Sequence, residues 1–235
     1  AMLVEHSTAI LQDGRGQAGS CTLRLPVTAG ASVLRRIFGQ SFVVGLTFMV
    51  AACAQPVERA APEGVELTPL RTISWLEGYV ALWFAGVSGI TVSHDVDCYR
   101  MVYRTRDGQG REIVASGLLA LPRGVAAQTL VSFQHGTTTS RDAVPSQLDV
   151  GGAAVAIVMA GNGYAVVAPD YIGLGVSREP HPYLVADDAA RAVVDMIAAA
   201  RRIDGVPRER LFLSGFSQGG QATIAALRVL EASGE

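Results

Sequence analysis

The sequence predicts an α/β fold in which a mostly parallel sheet follows an N-terminal antiparallel hairpin. Apolar segments of strand length alternate with segments of helical periodicity over residues 129–232, and such connections form right-handed crossovers between parallel strands. Two strand patterns around a turn at residues 107–108 precede them, as in a hairpin. A serine flanked by glycines, in the pentapeptide 215–219, stands where the last strand meets the last helix.

Composition limits the classes of protein that this chain can belong to. Its 235 residues allow one large domain or two small ones, and hydrophobic residues make up 49% of them, enough for a sizeable core. The net charge of −2 gives no indication of a nucleic-acid partner. Cys21, Cys53 and Cys98 are odd in number and have no C-x-x-C spacing, which argues against a zinc site and a disulfide framework.

Residues 33–53 have the pattern of a secretory signal. Arg35 and Arg36 are followed by an apolar run, residues 42–52, which ends in small residues before Cys53, and the run is short for a membrane span. This end resembles the lipobox of bacterial lipoproteins, which implies a lipid on Cys53, an N-terminal membrane anchor and export to a bacterial cell envelope, or secretion. An uncleaved apolar anchor with a buried cysteine is the alternative.

The segments on either side of this signal define the remaining boundaries. Residues 1–32 show no sustained period, and because a signal is N-terminal, we hypothesise that translation begins near Val33 or that the upstream segment is mis-assigned. Residues 54–70 include polar and proline-containing sequence that suits a tether. Residues 71–235 are predicted to form the α/β domain.

The start of this domain contains a large apolar segment and the hairpin. Residues 73–90 are rich in tryptophan and other large apolar side chains and predict a surface helix or cap segment, with core packing or an acyl-chain pocket as its use. Residues 96–105 alternate in polarity and residues 112–121 return after the turn, which predicts two antiparallel strands. Cys98 in the first strand is predicted to be a small buried hydrophobe.

The serine motif predicts a nucleophile at Ser217. Residues 211–213 supply a strand and residues 222–227 a helix, so Ser217 lies at a strained turn that exposes its hydroxyl. Gly215 and Gly219 are needed because a Cβ there would collide with the neighbouring strand or helix. The N-terminus of the helix would face an oxyanion. An ordinary tight turn with a solvated serine is the alternative.

A second loop is predicted to complete an oxyanion hole. The strand predicted at residues 129–133 runs into residues 134–139, the position at which such folds supply another backbone N–H. We assign this role to the backbone of Gly136 and Thr137. His135 precedes the serine in the chain, so it is predicted either to support this loop or to be merely structural.

Acidic residues near two further elements have simple structural explanations. Residues 164–168 form an almost wholly apolar strand pattern, and Asp170 at its end is a candidate site residue or a turn cap. Asp187 and Asp188 begin a helical pattern and are interpreted as first-turn acids that interact with the helix dipole.

Together these features resemble the α/β-hydrolase superfamily and, within it, the secretory-lipase-like esterases. The blocks that carry the resemblance are residues 102–122, 133–140, 163–184 and 215–220. The resemblance implies a serine esterase or lipase with Ser217 as nucleophile, the Gln218 N–H as an oxyanion donor and an acyl-enzyme intermediate. A small-molecule or lipid ester is then the substrate, and no metal or organic cofactor is needed.

The chain departs from the superfamily pattern after the serine. The order expected is serine, acid, histidine, whereas His6, His94, His135 and His181 all precede Ser217. We therefore expect an N-terminal portion of an esterase, truncated after the nucleophile helix and without normal turnover by itself. The alternatives are a peptidase or acyltransferase on the same fold, and a non-catalytic envelope lipoprotein with a hydrolase-like binding shell.

Overall fold

The computed structural model describes residues 55–234 and the backbone of two short strands that precede them. These strands, β1 (Thr8–Gln12) and β2 (Ala18–Thr22), pair antiparallel. The chain divides into two compact units, residues 1–53 and 54–235. The predicted signal segment, with Cys53, lies outside the described residues. Of the helices described, none has both the length and the apolar character that crossing a bilayer would require.

The second unit alternates strands and helices over most of its length. In chain order these are β3 (Val65–Ile73), α1 (Trp75–Phe84), β4 (Val96–Arg106), β5 (Glu112–Pro122), β6 (Leu130–Gln134), α2 (Val150–Met159), β7 (Ala165–Pro169), α3 (Ala186–Ala200), β8 (Leu211–Gly215) and α4 (Gln218–Ser233). Short 3₁₀ helices, Pro145–Gln147 and Ala160–Asn162, flank α2.

The strands form one six-stranded sheet in the order β3-β4-β5-β7-β6-β8. Strand β4 pairs antiparallel with β3 and β5, and β5 pairs antiparallel with β7. Strand β6 pairs parallel with both β7 and β8. The predicted hairpin and the parallel crossovers are therefore confirmed, and the described sheet is mixed because three antiparallel strands lie beside three parallel ones.

Helices cover both faces of the sheet. Strand β7 is buried throughout, because Ala165 and Val167 face the layer of α3 and α4, whereas Val166 and Ala168 face the layer of α1 and α2. This two-sided burial explains why the sequence of β7 is almost wholly apolar. The resulting three-layer arrangement places the carboxyl ends of β6, β7 and β8 at one edge of the sheet.

Strand β3 was not predicted, and it begins inside the segment that the sequence predicts to be a tether. Its pairing with β4 shifts register between Pro69 and Arg71, and a proline is tolerated because β3 is an edge strand. The residues before it contact the sheet: the Val57 N–H donates to the buried Asp97 carboxylate, and the Tyr99 hydroxyl donates to the Val57 carbonyl. In the structure, this part of the predicted tether is thus attached to the domain.

Two predictions for the start of the domain are confirmed. Helix α1 is a surface helix, with Trp75, Tyr79 and Trp83 at least half exposed. Cys98 is fully buried in the apolar layer beneath α1 and α2, and burial raises the pKa of its thiol to about 12. A thiol with so high a pKa is inert as a nucleophile, so Cys98 acts as a small apolar side chain.

Candidate active site

The proposed nucleophile lies at the junction between β8 and α4. Ser217 has a φ of 56° and a ψ of −119°, a positive-φ conformation that is strained for a residue with a Cβ. Its side chain is exposed and has no hydrogen-bond partner within residues 55–234. The turn therefore presents a free hydroxyl at the edge of the sheet where the parallel strands end.

The two glycines of the motif allow backbone segments to approach closely. A Cβ on Gly215 would lie 2.2 Å from the Gly219 carbonyl oxygen. A Cβ on Gly219 would lie 1.9 Å from the Gln134 carbonyl oxygen. Both distances are far below a van der Waals contact, so the turn between β8 and α4 can form only with glycine at these positions.

The loop after β6 lies directly beside this turn. The Phe216 N–H donates to the Gln134 carbonyl over 3.2 Å. A Cβ placed on Gly136 would lie 3.8 Å from the Ser217 Cβ. Within residues 55–234, the backbone N–H groups of Gly136, Thr137 and Gln218 donate to no other residue. The structure thus brings the three predicted oxyanion donors and Ser217 into one region.

His135 contacts the backbone of this loop and forms no hydrogen bond with Ser217. Its Nδ1 lies 2.7 Å from the Gly136 carbonyl oxygen and its Nε2 lies 3.3 Å from the Asp170 carbonyl oxygen. The ring also packs on Tyr171, with centroids 4.4 Å apart, and the Tyr171 hydroxyl donates to the His135 carbonyl over 2.9 Å. These contacts fit the predicted role of His135 in holding the loop in place.

Asp170 is a structural residue. Its carboxylate is fully buried and accepts hydrogen bonds from the Ser116 hydroxyl, at 2.5 Å, and from the Ser146 N–H, at 2.9 Å. Burial raises the pKa of this carboxyl, and the two serines partly offset the effect. Of the two interpretations of Asp170, the structure supports a residue that fixes turns beneath the loop.

Residues 181–183 make contacts with the site that sequence reasoning did not assign. The His181 Nε2 lies 3.0 Å from the Gln218 side-chain nitrogen, and the Tyr183 hydroxyl lies 3.0 Å from the Thr137 hydroxyl. Gln218 and Thr137 are two of the three residues that carry predicted oxyanion donors. The sequence indicates this segment only as part of a block that resembles the secretory-lipase-like esterases. No local pattern indicates contacts between residues that lie 37 and 46 positions apart in the chain.

A cavity of about 340 Å³ opens beside the turn. The rings of Phe133 and Phe216 form an apolar part of its wall. Polar groups come from the loop after β6 and from Asp149, which caps α2 by accepting from the Gly152 N–H. The residues around the cavity are Phe133, His135, Gly136, Thr137, Thr138, Ala143, Asp149, Gly151 and Phe216.

No general base is in contact with the serine in the part of the chain that the structure describes. His94, His135 and His181 form no hydrogen bond with Ser217, and both ring nitrogens of His181 face other residues. Residues 55–234 also contain no group of three or more histidine, cysteine, aspartate or glutamate side chains arranged to hold a metal ion. What these residues bring together is a free hydroxyl, backbone N–H donors and an adjacent cavity.

Comparison with known proteins supports the fold. A sequence model of the secretory lipase family matches residues 143–232, which include β7, the loop with His181 and the Ser217 turn. No match to a curated protein was found. A putative hydrolase from Legionella pneumophila is similar in structure, with 32% identity and a TM-score of 0.66 over 71% of this chain and 47% of its own.

Two further solved structures have the same architecture. The rice cell wall degrading esterase LipA from Xanthomonas oryzae is 28% identical, with a TM-score of 0.63 over 71% of this chain and 45% of its own. Candida antarctica lipase A in its closed state is 18% identical, with a TM-score of 0.52 over 76% and 41%. This chain spans about half the length of the first two structures. The α/β-hydrolase fold and the resemblance to secretory lipases are thereby confirmed.

Proposed function

We propose, from the α/β-hydrolase fold and the likeness to secretory lipases, that the protein is a serine hydrolase that cleaves carboxylic esters. The observation that carries this proposal is the exposed Ser217 hydroxyl, held at a positive φ beside backbone N–H groups that have no partner within residues 55–234. An exposed hydroxyl facing unpaired donors is the arrangement that acyl transfer requires.

In the proposed reaction, the Ser217 oxygen attacks the ester carbonyl carbon. A general base removes the hydroxyl proton as the carbon–oxygen π electrons move onto the carbonyl oxygen, and this oxyanion accepts hydrogen bonds from Gln218 and from Gly136 or Thr137. The tetrahedral intermediate collapses, the alcohol leaves with the proton and an acyl-enzyme remains. Water then attacks the acyl group by the same route and releases the acid.

The base and its acidic partner are proposed to lie outside residues 55–234. Each described histidine is separate from Ser217, and the contacts of His135 and His181 engage carbonyl oxygens or a side-chain amide. We accordingly expect that residues 54–235 alone have no normal turnover. Any residual rate would come from the oxyanion donors and from substrate binding.

The substrate is proposed to be an ester with an apolar group next to the carbonyl. Gly136 and Phe216 line the cavity beside the turn. Phe216 precedes Ser217 in the chain, and Gly136 lies in the loop beside it. Its two phenylalanine rings favour burial of an acyl chain or an apolar alcohol. The cavity volume of about 340 Å³ fits a short or medium chain within the usual range of ligand pockets.

A fluorophosphonate probe tests the nucleophile directly. The protein expressed from its full reading frame should be labelled, and peptide mapping should find the adduct on Ser217. Hydrolysis of a series of p-nitrophenyl esters would then rank chain lengths, and matched amides and alcohol acceptors would detect a peptidase or an acyltransferase. Absence of any adduct, together with absence of turnover, would contradict the proposal and favour a non-catalytic binding protein.

We further propose that the protein is exported and attached to a membrane through a lipid on Cys53. The proposal rests on the sequence around that residue and on its place directly before the domain. Cys53→Ser should move the protein from the membrane fraction to the soluble fraction without changing labelling of Ser217. Cys98→Ala is the control, since it removes a thiol without burying a hydroxyl in the apolar layer, and it should leave the fractionation unchanged. Equal fractionation of the Cys53 variant and the wild type would exclude the lipid anchor.

A further inference from the structure

We propose that residues 181–183 act as a clamp that positions both sides of the oxyanion hole, with His181 acting on Gln218 and Tyr183 acting on Thr137. This inference rests on the proposed function of Ser217, because it concerns the donors around the same serine. The two side chains leave one short segment, and one reaches the residue that follows Ser217 while the other reaches the loop after β6. They are positioning residues, since neither forms a hydrogen bond with Ser217 itself.

The contacts of His181 determine its tautomer. Its Nδ1 lies 2.8 Å from the Ile172 carbonyl oxygen, and since a carbonyl only accepts, Nδ1 carries the proton. Its Nε2 is then a lone-pair acceptor that receives a hydrogen bond from the Gln218 side-chain amide over 3.0 Å. The imidazole thus links the loop after β7 to the first residue of α4.

This link controls the orientation of the Gln218 residue. Gln218 is buried, and its side-chain oxygen has no hydrogen-bond partner within residues 55–234. Among those residues, the bond to His181 is therefore the polar contact that fixes the amide. Because the backbone N–H of Gln218 belongs to the same residue at the start of α4, holding the side chain also restrains the direction of that donor.

The second contact of the clamp lies across the turn. The Tyr183 hydroxyl is 3.0 Å from the Thr137 hydroxyl, and the Tyr183 N–H donates to the His181 carbonyl over 2.9 Å. The two contacts therefore come from one hydrogen-bonded turn. Thr137 is exposed in the loop after β6, where Tyr183 is its one side-chain partner within the described residues.

The clamp is itself anchored on the loop that follows β7. Gly173 has a φ of +83°, and a Cβ there would lie 2.5 Å from the His181 backbone nitrogen. Ile172, whose carbonyl accepts the hydrogen bond from His181, is buried. The close approach of these two backbone segments fixes the position of the His181 backbone. The imidazole extends from there toward the Gln218 side chain.

Loss of the clamp should affect the rate more than substrate binding. Oxyanion donors stabilise charge that develops in the transition state, so their displacement lowers kcat with little change in KM. Removal of one such donor costs about 10²- to 10³-fold in rate. A donor that is displaced but still present should cost less, about 10- to 100-fold.

Two substitutions of His181 separate its two contacts. Asn can donate to the Ile172 carbonyl in place of Nδ1 but cannot reach Gln218, whereas Gln places an acceptor near the position of Nε2. In the protein expressed from its full reading frame, His181→Asn should lower kcat about 10- to 100-fold with KM within about twofold. His181→Gln should recover most of that loss. Tyr183→Phe, which removes only the hydroxyl, should lower kcat about 3- to 10-fold.

A double-mutant cycle tests whether His181 acts through Gln218. In a Gln218→Leu background, which keeps the backbone N–H, His181→Asn should have no further effect on kcat. Independent, multiplicative effects would overturn the clamp, as would equal rates for the Asn and Gln variants of His181. If His181→Asn fails to fold, Tyr183→Phe on the exposed side serves as the test, and an unchanged kcat would reject the proposal. A wild type without labelling or turnover contradicts the proposed function instead.

Discussion

In the protein expressed from its full reading frame, alanine in place of Ser217 should reduce ester hydrolysis by at least about 10⁴-fold, because the proposed attacking atom is removed and only oxyanion donors and binding remain. Stability should change by less than about 0.5 kcal/mol, since the hydroxyl is exposed and lacks a partner within residues 55–234. Both residues have a Cβ, so the strain at φ 56° stays in place. The measurements are initial rates on a p-nitrophenyl ester and the thermal midpoint.

Ser214 provides the matched control for this substitution. It lies three residues earlier in β8, is also exposed and is not part of the proposed site. Ser214→Ala should retain wild-type rates and labelling by the fluorophosphonate probe. Retention of more than about 1% of the rate in Ser217→Ala, relative to the Ser214 variant, would exclude Ser217 as the nucleophile.

Alanine in place of Gly219 should destabilise the fold by at least about 3 kcal/mol. The new Cβ would lie 1.9 Å from the Gln134 carbonyl oxygen, and that oxygen belongs to the central parallel strand β6. A backbone atom held in a sheet cannot move aside as a flexible side chain can. The start of α4 or the end of β6 would have to shift, so turnover should be lost together with stability.

The neighbouring glycine gives the opposite expectation. A Cβ on Gly220 would meet nothing closer than the Gly215 carbonyl oxygen at 3.9 Å, and the residue lies within α4. Gly220→Ala should therefore stabilise the protein by up to about 1 kcal/mol through its helix propensity. Chemical denaturation of the two variants provides the comparison: similar stabilities would show that the close approach at Gly219 is not restrictive.

The elements that sequence reasoning identified correctly are those with strong local signals. The hairpin has alternating polarity in β4, a turn at Asp107 and a largely apolar returning segment in β5, and β7 has an uninterrupted apolar run. The Ser217 turn was predictable because glycine is required on both sides of it, for reasons that the contacts of Gly215 and Gly219 make explicit. Position in the chain then indicated the partner loop.

Strand β3 shows where local signals fail. It contains Pro69 and alternates irregularly, because its register shifts after that residue. Its strand conformation comes from pairing with β4, and tertiary pairing overrides weak local preference. The hydrogen bonds of Val57 to the sheet could not be foreseen for the same reason, since Asp97, its partner, lies 40 residues away.

The candidate site divides in the same way. Ser217, its glycines and the loop with Gly136 follow from motif and order, whereas the roles of His181 and Tyr183 depend on contacts between distant segments. The tautomer of His181 requires knowledge of which carbonyl faces Nδ1. A sequence can indicate that a histidine is present in a family block, but only coordinates show what each nitrogen binds.

The two edges of the sheet, β3 and β8, differ in how readily a further strand could pair with them. The β3 edge has a proline, which lacks an N–H, and a shift in register. Both features discourage another strand from pairing there. The β8 edge has neither feature. Within the described residues, β8 pairs with β6 alone, and its Phe212 side chain is exposed. An incoming strand would therefore meet unpaired backbone groups and an exposed aromatic side chain at the β8 edge, alongside the Ser217 turn.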